Sequence, residues 1–281
     1  MVARKVKRKL WNRFMLTLTV VATAVALVPL GSILYYVAVR GLPALNLDFF
    51  TKLPAAVGEP GGGLANAILG TIILVLLAGA MAVPLGILTG IYLAEFGRGR
   101  LAWTVRFLCD VLTGVPSIIV GIVVYSTVVL TMKRFSALAG GIALAVIMLP
   151  MVARTTEEIL RLVPQSLREA SLALGATRAR TVRSVVLRSA MGGIITGVML
   201  ATARIAGETA PLLFTALNSR YWPGGLTDHI ASLPVYIFTY STTPYEELHR
   251  LAWGAALVLV VMVLATSIAA RLAARRLNGG R

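Results

Sequence analysis

The chain is poor in the side chains that carry chemistry. Its 281 residues include one cysteine, Cys109, and two histidines, His229 and His249. A lone cysteine excludes an internal disulfide, and neither histidine stands at metal-ligand spacing from another donor. Lysine stops at Lys133 and no Gly-x-x-x-x-Gly-Lys-Ser/Thr loop occurs, which excludes nucleotide hydrolysis by that route. A Gly-x-Ser-x-Gly elbow is missing too. The expectation is a chain with no enzyme activity, no metal and no cofactor of its own. Charge is also scarce: 14% of residues are charged, and 11 acidic residues face 27 basic ones, a formal net charge of +16. The basic residues are interleaved with long apolar runs instead of forming a basic domain with aromatic platforms, which argues against nucleic acid.

What the chain does have is apolar length. At 58% hydrophobic and a mean hydropathy of +0.84 it carries more apolar surface than a soluble core of this size buries. Runs long enough to cross about 30 Å of hydrocarbon fall at Phe14 to Val39, Leu64 to Ala94, Phe107 to Thr131, Ala137 to Ala153, Ala190 to Leu217 and Leu251 to Ala270. The fourth is the shortest. The first has a basic flank but ends in Val37-Ala38-Val39-Arg40 without a small-x-small cleavage site, so it reads as an uncleaved anchor. The composition thus predicts an all-α integral membrane protein of six spans.

Orientation follows from Lys and Arg. Twenty of them fall in the N-terminal tail (Arg4, Lys5, Lys7, Arg8, Lys9, Arg13), the loop after span two (Arg98, Arg100, Arg106), the loop after span four (Arg154, Arg161, Arg168, Arg178, Arg180, Arg183, Arg188) and the C-terminal tail (Arg271, Arg275, Arg276, Arg281). The alternate loops hold six, and Arg204 lies inside span five. Both termini are expected in the cytoplasm. No linker divides the chain, so residues 1–13 read as a basic tail and 14–281 as one membrane domain, with a cytoplasmic loop at about 154–189 and an extracytoplasmic loop at about 218–250.

Within the outer loop, Leu233 to Phe238 reads as an aromatic segment near the interface, a belt or a docking surface. Gly61-Gly62-Gly63 reads as a turn, since no other phosphate-loop residue accompanies it. The pairs Gly86/Gly90 and Gly193/Gly197 permit close helix packing, and Pro84 is placed to kink span two.

Two places carry functional expectations. Arg204 and Glu208 are four residues apart and are expected to pair on one helix face. Intramembrane charges are costly, about 2.5–3.5 kcal/mol each at a helix centre. The pair is either a structural lock or a pathway element, with Arg204 attracting an oxyanion and Glu208 limiting how tightly it is held. Pro211 is expected to break the helix there. The second place is cytoplasmic. Ser166-Leu167-Arg168-Glu169 fits a capping box, which would account for Glu169 without a partner. Leu167, Ala170, Ser171 and Leu174 fall on one face, Gly175 is suited to a left-handed helix end, and Thr177 to a second cap.

Glu169-Ala170-Ser171, then Gly175, then Val185-x-Leu187 resembles the Glu-Ala-Ala loop of ABC-type importer permeases, with Ser171 for the usual second alanine and Arg188 where proline is common. Gly114 to Gly121, Arg154 to Glu158, Ala203 to Leu213 and Leu233 to Phe238 together resemble the phosphate-importer permeases of the PstA type. The resemblance implies that Glu169, Ala170, Ser171 and Gly175 couple to an ATPase, and that Arg204 and Glu208 matter for phosphate passage. It also implies a PstC-type second permease, a PstB-type ATPase dimer that binds the ATP and Mg, and a PstS-type phosphate-binding protein. The expected function is therefore the permease subunit of an ATP-driven phosphate importer in a prokaryotic inner membrane. Its rivals are the same machinery moving sulfate or molybdate, an ATP-independent transporter or channel, and a non-transporting scaffold.

Overall fold

The computed structural model describes residues 2–56 and 61–278, and side chains within 7–56 and 61–272. Of the tail charges used for orientation, Arg4, Lys5, Arg275, Arg276 and Arg281 therefore have side chains outside the described residues.

Regular structure among the described residues is helical throughout. The chain opens with α1 (Val2–Gly41), a 3-10 turn (Leu42–Ala44), α2 (Leu47–Thr51) and α3 (Ala65–Ile91), which ends in a π turn at Tyr92–Phe96. Next come α4 (Gly99–Gly114) and α5 (Ser117–Val124), the latter continuing through a π turn at Tyr125–Val129 into α6 (Leu130–Met132). Then α7 (Ala137–Arg161), α8 (Gln165–Ala173) and α9 (Arg178–Thr181), which passes through a π turn at Val182–Val186 into α10 (Leu187–Ala206). The chain finishes with α11 (Ala210–Thr215), α12 (Leu233–Ser241) and α13 (Glu246–Asn278). Five helical stretches are long and apolar enough to cross a membrane, and α4 with α5–α6 makes a sixth if that bent pair counts as one span.

The span at Ala137, shortest in the sequence, is the centre of the fold. It runs on to Arg161 and is the most enclosed of the spans, because Ala137, Ala139, Gly140, Gly141, Ala143 and Ala153 leave its surface low enough for neighbours on several sides. In lipid, such small-residue contact replaces the hydrophobic drive that brings helices together in water. The Gly86/Gly90 pair of α3 sits on α7: a Cβ at Gly90 would lie 2.5 Å from the Thr156 Cβ, and one at Gly86 2.8 Å from the Val152 Cβ. The Gly193/Gly197 pair of α10 does the same against Ile159 and Thr155, at 2.6 and 2.3 Å. Leu74, Leu144, Met148, Val152, Ala201, Ile205 and Leu212 fill the space between.

Several expectations need correction. The third span is not one helix from Phe107 to Thr131: it begins at Gly99 and bends by 104° at Val115–Pro116. Pro116 lacks an amide donor and disfavours helix for the residue before it, and hydropathy averaged over the run hides that break. The fifth span starts at Arg178 and stops at Ala206 instead of running from Ala190 to Leu217. Pro84 lies inside α3, where it removes one amide donor from the helix. The segment Leu233 to Phe238 is neither belt nor docking surface for most of its length; Leu233, Pro234, Val235, Tyr236 and Tyr240 are buried in α12 against Phe49, Leu64 and Ala255. The Gly61–Gly63 turn is tight, with φ of 95° and 85° at the first two glycines and the Gly63 amide donating to the Leu53 carbonyl.

Gly90→Val forces a branched side chain into the α3–α7 contact and is expected to cost about 1–3 kcal/mol, read as a lower melting temperature in detergent by size-exclusion detection. Gly79→Ala, at a position with no atom within 4 Å of a new Cβ, should leave the melt unchanged; equal melting of the two variants would remove close packing as the reason for Gly90.

Candidate functional site

Arg204 and Glu208 do pair, but not along one helix. α10 ends at Gly207, where the amides of Gly207 and Glu208 turn back to the carbonyls of Arg204 and Ile205 at 3.3 and 3.2 Å. Glu208 therefore lies in the break before α11, and its Oε1 accepts from the Arg204 guanidinium across it. Pro211 does not make this break; it sits in the first turn of α11, where its missing donor costs nothing. The Arg204 side chain is 50% exposed and Glu208 only 11%, so the guanidinium keeps an open face while the carboxylate is enclosed.

This break lies beside the one in the third span. The Cα of Pro211 comes within 2.7 Å of where a Cβ would stand on Gly121, so only glycine lets α11 rest on α5. The contacts of Gly193 with Ile159 and Gly197 with Thr155 set α10 antiparallel to α7, and the same stepping places Arg204 level with Met148, near the middle of α7. A half-exposed arginine at that depth, next to interrupted helices, is tolerated where protein or water satisfies it and not against lipid.

At the far end of α10 lies the 165–178 segment. The capping box does not form. Pro164 is the N-cap of α8, with no side-chain cap, and Ser166 and Glu169 stand inside the helix and exposed. The proline, already locked in extended φ/ψ, displaces Ser166 from the cap. Glu169 is thus released from the structural role the sequence suggested. The glycine turn is as expected: Gly175 has φ +83°, its amide donates to the Leu172 carbonyl, and the Ala176 amide donates to the Ser171 carbonyl, a complete Schellman ending. Thr177 caps α9 through the Arg180 amide at 3.4 Å. The Ser171 and Thr181 hydroxyls share a hydrogen bond of 2.9 Å, pinning the two helices of the turn together. Leu167, Ala170 and Leu174 are exposed, Leu174 by 90%. The predicted face is therefore free on three positions and spent on an internal contact at Ser171.

Two carboxylates that sequence reasoning gave no role organise this end. Glu95, in the π turn after α3, receives Arg168 of α8 at 2.6 Å. Arg168 also donates to the Val163 and Leu160 carbonyls at 2.5 and 2.9 Å, closing the C-terminus of α7. Arg178 reaches the Glu95 carbonyl and lies over the Phe96 ring, 5.1 Å from its centroid. Deeper, Glu157 is 1% exposed and meets Arg106, Arg154 and Arg161 at 2.6, 3.0 and 2.6 Å, while Arg154 also holds Asp110 at 3.0 Å. The available signal was position: Glu95 closes an apolar run, and Glu157 is an acid amid arginines.

A family model described as the inner membrane component of binding-protein-dependent transport systems matches residues 82–279. A phosphate transport system permease protein PstA of Yersinia pestis is 46% identical over 270 residues, 94% of this chain and 92% of that one. The chain belongs to the binding-protein-dependent transport permeases, and within them to the PstA type. One from Haemophilus influenzae is 43% identical over 94% of both chains, and a probable PstA from Methanocaldococcus jannaschii is 36% identical over 97% and 96%. Among solved structures, the inward-facing MetNI methionine ABC transporter matches with a TM-score of 0.61 at 21% identity, covering 76% of this chain and 94% of that one. That likeness is one of fold: this multi-pass permease has the helical architecture of ABC importers.

Glu157→Gln leaves three guanidinium groups around a neutral, buried amide and is expected to destabilise the permease by about 3–5 kcal/mol. Glu158→Gln, one residue on and exposed, should stay within about 0.5 kcal/mol. Thermal melts of the two variants compared with the parent decide this, and a stable Glu157→Gln would show that its arginines are satisfied by other means.

Proposed function

We propose that this chain is a permease subunit of an ATP-driven importer of inorganic phosphate. It forms the pathway with a PstC-type second permease, and is driven by a PstB-type ATPase dimer that binds the ATP and Mg. A PstS-type binding protein supplies phosphate from outside. The observation that carries the substrate is the 46% identity, over nearly the whole length, to a relative described as a phosphate transport system permease. The half-exposed guanidinium of Arg204, at a double helix break in mid-membrane, is the chemistry suited to it. Arginine keeps its proton and offers a planar fork to phosphate oxygens, while the Glu208 carboxylate beside it competes for that fork, so that the anion is bound and released. In this reading the chain lies in a prokaryotic inner membrane with both termini and the 165–178 segment in the cytoplasm, as the excess of Lys and Arg on that side requires.

The coupling route is mechanical. Glu169, Ala170, Leu167 and Leu174 offer the exposed surface of α8 to the ATPase. Displacement of α8 passes through the Gly175 turn and the Ser171–Thr181 bond into α9, which continues through the π turn at Val182–Val186 to Arg204. That helix of 29 residues is about 40 Å long. Its two glycine contacts with α7 are where it pivots against the fixed core.

Reconstitution of the four components in vesicles tests the function: labelled phosphate should enter only with ATP, and excess sulfate or molybdate should not compete. Entry without ATP, or equal competition by sulfate, would sink this reading. Arg204→Gln is expected to abolish uptake while the complex still assembles; loss of assembly instead would make the pair a structural lock. Gly175→Val places a branched residue at φ +83°, a left-handed conformation costing about 1–2 kcal/mol, and should weaken retention of the ATPase on affinity purification or leave its hydrolysis running without uptake. Full coupling in that variant would remove the turn from the mechanism.

A further inference from the structure

An open cavity of about 770 Å³ lies between the root of α8, the π turn after α3 and the start of α9. Four arginines line it, Arg98, Arg161, Arg168 and Arg178, and a single carboxylate, Glu95. Two of the four are already paired with a carboxylate: Arg168 with Glu95, and Arg161 with Glu157, which it shares with Arg106 and Arg154. The other two are not. Arg178 is engaged by a backbone carbonyl and the Phe96 ring, neither of which carries charge. Arg98 has no carboxylate within salt-bridge distance among the described residues. Uncompensated guanidinium groups lining one concave site, Arg98 among them exposed, favour a multivalent oxyanion.

We propose that this cavity binds a phosphate group, held by Arg98 and Arg178, which acts on the clamp between α8 and the core. The bound anion lies in the same cavity as the Arg168–Glu95 bridge and competes with Glu95 for the Arg168 guanidinium, so its occupancy changes how firmly α8 is tied to α3 and α7. The phosphate is either free anion on the side where imported phosphate accumulates, a feedback ligand, or the headgroup of an anionic phospholipid at the interface. The cavity is roomy enough for both. Only the side of the membrane it faces rests on the proposed function; the binding does not.

The test uses the permease complex with its ATPase, carrying Arg204→Gln to silence the pathway, in nanodiscs of phosphatidylcholine alone. Equilibrium dialysis with radiolabelled inorganic phosphate should show one saturable site per copy of this chain, weakened about tenfold by Arg98→Gln, the loss of one charge-assisted contact, and restored within a few fold by Arg98→Lys. If free phosphate does not bind but native mass spectrometry finds phosphatidylglycerol retained from mixed nanodiscs in an Arg98-dependent way, the ligand is the lipid headgroup. Absence of both phosphate binding and lipid retention, or their persistence unaffected by Arg98→Gln, overturns the proposal. Failure of ATP-driven phosphate uptake by the parent complex would overturn the proposed function and leave the dialysis result standing.

Discussion

Two buried carboxylates hold one end of this bundle together. Glu157 gathers arginines from α4 and α7, and Glu95 gathers Arg168 from α8, with Arg106 joining the two groups by donating to the Leu93 carbonyl at 2.7 Å. Such clusters contribute little net stability, because desolvation offsets most of the attraction, yet breaking one leaves charge stranded. Their effect is therefore positional. They fix the register of α3, α4 and α7 where these helices leave the membrane, and they attach α8 to that fixed end instead of leaving it to hang from a loop. A segment that is to receive a push from another subunit transmits it only if it is attached in this way.

The opposite requirement holds in the membrane interior. Backbone groups freed by a helix break find no partner in hydrocarbon, so two breaks set side by side, at Val115–Pro116 and Gly207–Thr209, belong to protein or to water. The close approach of Gly121 to Pro211 makes the juxtaposition a built feature of the fold. Arg204 sits at its edge, tied to Glu208 across the gap. Because the carboxylate is on the loop and not on the helix, a change in the break alters the pairing without any change in α10 itself.

What was legible in the sequence was whatever depends on local chemistry. The apolar runs gave the spans, Gly175 the left-handed ending, Thr177 the cap, and the paired glycines their close contacts. Where two local signals compete, the sequence is ambiguous: Pro164 outranks Ser166 as a cap because its backbone is already set, and Pro116 interrupts a run whose average hydropathy is unchanged by it. What could not be read was long-range. Arg168 finds Glu95 73 residues away, and Arg106 finds Glu157 51 residues away. Tyr236 and Tyr240, aromatic residues in an apparent loop, are drawn into the core by Phe49 and Leu64 from the other end of the chain. No periodicity announces such partners.

The placement of the lever follows from these two halves. The end that carries α8 is clamped by charge and the end at Arg204 is interrupted by breaks, and the helix from Arg178 to Ala206 runs between them. It crosses α7 on Gly193 and Gly197, with Ile159 and Thr155 seated against them; on α3 the comparable glycines, Gly86 and Gly90, seat a helix whose end is tied down through Glu95. Similar small-residue packing thus joins both helices to α7, and the difference lies in what each helix is attached to. α3 ends in a buried ion pair, whereas the helix from Arg178 to Ala206 is held at its start by uncharged partners, the Ser171–Thr181 hydroxyl pair and Arg178 on the Glu95 carbonyl and the Phe96 ring. Under the proposed coupling, that asymmetry directs force applied at α8 along this helix to Arg204.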